Sequence, residues 1–190
     1  MNDIILGAKH ITDLAGLDHM LFLIALAASF DLSKLGRMIL LATAFTLGHS
    51  LTLFLAGLDL VRASLEWVEF LIPITILLMS IAAVAGISLA NSSSKYAKAT
   101  YAITAFFGLI HGLGFSSFFR IAVDRGEGII FPLLKFNLGV EIGQILILLI
   151  TLSIFSIARS LGITPRFQQI FIGGTAFGLS ALMAIENLPV

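Results

Sequence analysis

The chain has 190 residues, 58% hydrophobic and 12% charged, with 11 basic and 11 acidic side chains, no cysteine and a mean hydropathy of +1.07. Soluble domains carry about a quarter charged residues, so a water-soluble domain is excluded, and the missing cysteines exclude disulfides and thiolate metal sites. Zero net charge without a basic stripe excludes a nucleic-acid partner.

Apolar runs of about 20 residues, the length that crosses a hydrocarbon core at 1.5 Å per residue, recur between short polar connectors. The pattern predicts an all-α polytopic membrane protein: one transmembrane domain over residues 1–190, built as a bundle of six transmembrane helices.

The first span is expected at about 11–30. It contains "GLDHMLF" (16–22), in which Asp18 and His19 stand directly before "MLFLIALAASF". The preceding "IILGAKHITDLAG" reads either as the start of this span or as an interfacial segment. No basic stretch followed by a cleavage site is present there, so no signal peptide is expected.

The second span, 36–58, carries Thr46, His49 and Ser50 as a polar patch. The third, 68–90, follows Glu66 and Glu69, which favour a helix N-terminus, and Glu69 could swing inward. The fourth, 97–119, holds His111 between Gly108 and Gly112. The fifth, 131–158, is long enough to tilt and places Asn137, Glu141 and Gln144 at i, i+4 and i+7, one stripe. Gly139 and Gly143 flank Glu141, and the sixth span, 167–186, repeats that spacing with Gly174 and Gly178. Such GxxxG spacings let helix backbones approach closely. "TAFTLGH" (43–49) echoes "TAFFGLIH" (104–111), which reads as a duplicated unit with one inserted residue.

His19, His49, His111 and Glu141 each lie roughly 12–15 Å of helix from the same face of the membrane. A lone intramembrane histidine is often just an interhelical hydrogen-bond partner. Three at matched depth with acids point further, because an ionised group at mid-membrane costs about 2.5–3.5 kcal/mol. A divalent cation on neutral imidazoles and carboxylates compensates both acids at once. The expected metal ligands are therefore His19, His49, His111, Asp18 and Glu141. His10, Glu69, Thr46, Ser50, Asn137 and Gln144 are candidates for the surrounding shell. His10 sits nearer the surface, and on a continuous helix i and i+9 would put it opposite His19.

The connectors "DLSKLGR", "NSSSKYAK" and "RSLGITPR" carry Lys34, Arg37, Lys95, Lys98, Arg159 and Arg166 against one acid, Asp31. The other connectors mix Lys and Arg with Asp3, Asp59, Glu66, Asp124 and Glu127. The positive-inside rule then places both termini on the periplasmic side of a bacterial inner membrane.

The segments "HITDLAGLDHMLFLIAL", "TAFTLGHSLTL", "VEFLIPITI", "FFGLIHGLGF" and "FNLGVEIGQ", in this order, resemble the HupE/UreJ family. The resemblance implies a hydrogenase- or urease-associated permease for nickel, or nickel and cobalt. It maps the family's signature histidine and Asp-His pair onto His10, Asp18 and His19. Its later motifs fall on His49, His111 and Glu141. Seven residues here separate the first histidine from the Asp-His pair, where the hydrogenase-linked members have five.

Function is thus expected to be transport of a divalent transition metal, Ni, Co or Zn, nickel foremost, with the ion and the lipid bilayer as partners and self-association left open. The chain is read as a transporter rather than an enzyme. The alternative is a membrane-embedded, zinc-type hydrolase near the outer leaflet, favoured by cytoplasmic helix halves almost free of ionisable groups.

Overall fold

The computed structural model describes residues 2–13, 16–87, 89, 94–122 and 128–189; Asp124 and Glu127, weighed above for orientation, lie outside them. The elements are α1 (Asp3–Thr12), α2 (Asp18–Ala27), a 3-10 turn (Leu32–Lys34), α3 (Leu35–Gly57), α4 (Leu65–Val84), α5 (Ser94–Ala122), α6 (Ile130–Ser160) and α7 (Pro165–Glu186). No strand occurs among the described residues. Among the described residues, helices α3 to α7 are the five long and apolar enough to cross a membrane; they correspond to the second to sixth expected spans, with α4 ending at Val84, short of the expected 90.

Among the described residues five helices, not six, are long and apolar enough to span, and the difference lies at the first expected span. The chain is not one helix over 11–30: α1 ends at Thr12, and α2, of 10 residues, begins at Asp18. The Asn2 side chain accepts a hydrogen bond from the Ile4 amide at 3.1 Å, which starts α1 well ahead of the apolar run. Asp13 leaves the helix in an extended conformation, φ −68° and ψ 119°, and Gly16 follows. Both residue types are poor helix formers. Two short helices in succession nevertheless follow the length of α6. Asp3 lies 3.9 Å from Lys135 near the start of α6, and Arg159 near its end donates to the Phe30 carbonyl at 2.9 Å.

Glycine sets the closest approaches. A Cβ on Gly48 would strike the Ala105 carbonyl, and one on Gly108 would strike that of Phe45. The same reciprocal contact joins α1 to α6, where Gly7 meets the Phe136 carbonyl and Gly139 that of Ile4. Gly112 and Gly143 extend each contact by one turn, against His49 and Ile11. The echo between 43–49 and 104–111 therefore marks the two sides of one helix contact, α3 on α5. The repeated pattern is that pair and α1 on α6. Phe22, Phe30, Phe45, Phe119 and Phe136 fill the interior, and leucines and isoleucines cover the perimeter.

Candidate metal site

Four imidazoles meet where α1 breaks into α2. His10 comes from the last turn of α1, His19 from the first turn of α2, His49 from α3 and His111 from α5. The His19 ring centre lies 4.7 Å from that of His10, 5.8 Å from His49 and 4.9 Å from His111; His10 and His49 are 5.5 Å apart. Potential ligand atoms of His10, His19 and His49 lie within 4.8 Å of one another, as do those of Asp18, His19 and His111. His10 was expected opposite His19 only on a continuous helix, and the two separate helices remove that condition. With α1 ending at Thr12 and α2 beginning at Asp18, both side chains turn to one point.

Hydrogen bonding decides which ring nitrogens carry protons. His19 Nδ1 is 3.0 Å from Asp18 Oδ1, which also accepts from the His19 amide at 2.9 Å. The carboxylate can only accept, so Nδ1 carries the hydrogen and Nε2 keeps its lone pair. His111 Nε2 is 2.9 Å from Thr75 Oγ1, and Thr75 spends its one hydroxyl proton on the Ile72 carbonyl at 2.7 Å. His111 must therefore donate through Nε2, which leaves Nδ1 bare. Those two freed atoms, His19 Nε2 and His111 Nδ1, are buried without a partner, and so are His10 Nε2 and both nitrogens of His49. Buried polar atoms are nearly always satisfied. Several unsatisfied lone pairs at one point form a donor set awaiting a cation.

A cavity of about 220 Å³ is lined by His10, His19 and His111 and by the acids Asp13, Asp18 and Glu69, with Phe115 beside them. Glu69 stands exposed on this rim, on α4. Glu141 is not brought into these groups; its carboxylate pairs with Thr43 on the seam between α3 and α6. Gln144 Oε1 accepts from Thr46 at 2.9 Å on the same seam. Ser50 donates to the Thr46 carbonyl, and Asn137 Oδ1 has no partner. Thr75 and Thr43 escaped the sequence reading. A threonine can satisfy itself on the carbonyl three or four residues back, so one in an apolar helix carries no signal of its own.

A family model described as HupE / UreJ protein matches residues 1–186 of the chain. No curated protein and no solved structure matches it.

Proposed function

Since the chain belongs to the HupE/UreJ family and is an integral membrane protein by its five long apolar helices, we propose that it is a permease for a divalent transition metal, nickel first. The cargo is held by His10, His19, His49 and His111. The observation that carries the reading is the convergence of unpartnered ring nitrogens from four helices at the foot of an acidic cavity.

Imidazole and carboxylate without sulfur suit Ni²⁺, Co²⁺ and Zn²⁺ rather than Cu⁺. The cavity's acids attract the hydrated ion. The imidazoles then replace its water, at no cost in buried charge beyond the ion's own. Asp18 orients His19 and leaves its second oxygen to offset the ion's charge. Broken helices at mid-membrane recur in transporters, where the interruption supplies ligands and a hinge. In this reading α1 and α2 together form the sixth crossing, the membrane is the bacterial inner membrane, and the cavity opens to the periplasm with both termini.

The test is metal content and uptake. Detergent-purified protein binds Ni²⁺, and His49→Ala and His111→Ala variants lose that binding. Proteoliposomes of the native chain accumulate radiolabelled nickel, and those of the variants stay empty. Binding without uptake, with metal-dependent cleavage of a lipid or peptide instead, favours the hydrolase.

A further inference from the structure

Helices α4 and α5 touch at one end and part at the other. On the side of the imidazoles they are in contact: a Cβ on Gly114 would lie 2.9 Å from the Ile72 side chain, and Thr75 meets His111 at 2.9 Å. One turn away from that bond on each helix, at Met79 and Phe107, a groove opens between them. It runs on to Ile87 and Ala99 and has a volume of about 560 Å³. Its floor is buried, Met79 being 5% and Phe107 6% exposed, while its rims, Leu78 and Ile103, are half exposed. Apart from Thr100 and Thr104 the walls are apolar. Thr104 is fully buried and donates its hydroxyl to the Thr100 carbonyl at 2.9 Å. Such walls suit an apolar occupant.

Two observations say which one. Both helices are among those long and apolar enough to cross the bilayer, so the groove faces lipid tails. An apolar gap left unfilled forfeits dispersion contacts along its whole lining, and a flexible acyl chain supplies them. The mouth of the groove, in turn, is basic. Lys98 stands exposed directly before Ala99 on the α5 wall. Arg166, from the first turn of α7, lies against Gly86, the residue before Ile87; its Nη1 is 3.0 Å from where a Cβ on that glycine would be. Neither cation enters an ion pair among the described residues. Basic pockets between transmembrane helices hold anionic head groups, each cation being worth about fivefold in affinity. A second copy of the chain suits the groove less well. A two-fold interface would set each mouth against itself, cations facing cations.

We propose that the α4–α5 groove is the seat of an anionic phospholipid: one acyl chain lies over Met79 and Phe107, and the phosphate is held by Lys98 and Arg166. The seat is separate from the imidazole site and stands whatever ion that site takes. It fills the gap one turn from the Thr75–His111 bond, where the two helices would otherwise lack contact.

Quenching by brominated lipid tests it. Trp67, the single tryptophan of the chain, lies in the first turn of α4, at the end away from the groove. Trp67→Phe with Ile103→Trp therefore gives a reporter on the groove's rim. In proteoliposomes the acyl chains are brominated on phosphatidylglycerol or on phosphatidylcholine. Both leaflets carry the lipid, so the direction of insertion does not enter. The reporter is expected to favour phosphatidylglycerol by more than about fivefold. That ratio falls in Lys98→Gln and in Arg166→Gln, and reaches unity when both are changed. Ala82→Phe, which puts a ring into the groove from the α4 wall, lowers phosphatidylglycerol association with both cations in place. A tryptophan at Ile154, exposed on α6 near the same end of the bundle, shows no preference. Equal quenching by the two lipids overturns the proposal, as does a preference that survives the double variant or appears equally at Ile154. If neither lipid quenches the reporter, a second copy of the chain covers the groove and the lipid seat is wrong.

Discussion

At the scale of single residues, the site is a matter of which nitrogen holds a proton. Asp18 fixes His19 and Thr75 fixes His111, each through one hydrogen bond. Outer partners of this kind are worth about 10–100-fold in metal affinity. Thr75→Val, which keeps the shape and removes the acceptor, is therefore expected to weaken Ni²⁺ binding by about that factor in calorimetry. Thr75→Ser restores it. An unchanged affinity in the valine variant would show that His111 needs no such support. Asp18 and His19 were legible in the sequence because an adjacent acid and imidazole beside an apolar run are costly wherever they lie. Thr75 was not, since its role depends on a ring from another helix.

Among the elements, backbone contact at glycine holds the histidine-bearing helices together, and its energetic sign can be worked out. In a helix interior Gly→Ala gains about 1 kcal/mol of intrinsic propensity. At Gly108 the added methyl would meet the Phe45 carbonyl, a backbone atom that cannot move aside. Overpacking costs typically 1–3 kcal/mol or more, so Gly108→Ala is expected to lower the unfolding temperature and to weaken metal binding by separating His49 from His111. Gly174 has nothing within 4 Å of an added Cβ. Gly174→Ala should leave the unfolding temperature unchanged or raise it, which thermal denaturation in detergent will measure. Both glycines looked alike in the sequence, because GxxxG spacing says that an approach is possible and not whether a neighbour is there.

The connector after α3 gives a second element-scale prediction. Hydrogen bonds from Arg62, followed by the charges of Arg62 and Arg120, hold the Asp59 carboxyl below its ordinary value. A lowered folded value means stability that is present above the unfolded value of 3.8 and is lost as pH falls through the folded one. The native chain should be more stable than Asp59→Asn at pH 7, and the gap in unfolding temperature should close in acid below about pH 4. A gap independent of pH would show that the arginines do not act through the charge.

For the whole molecule, the absence of cysteine makes sidedness measurable with single introduced thiols. Asp13 at the cavity and Asp59 in the α3–α4 connector belong to one end of the bundle, while Ser33 and Ser160 belong to the other. Asp13→Cys and Asp59→Cys are expected to react with an impermeant thiol reagent from the periplasmic side. Ser33→Cys and Ser160→Cys should react only after the membrane is opened. The reverse pattern would invert the orientation and leave the site unchanged, since the four rings meet whichever way the chain is inserted.

The sequence alone determined that this chain lives in a bilayer, where its five long helices run, and that histidines and acids sit within the apolar spans. Those properties follow from hydropathy and rise per residue, which are local. Only the tertiary structure decided that α1 and α2 are separate helices, that His10 joins the cluster and that Glu141 lies apart from it. Each of those facts depends on the direction a side chain takes across the bundle. That direction is set by the change from α1 to α2 and by glycine contacts between helices far apart in the chain, and no periodicity along a single helix encodes it.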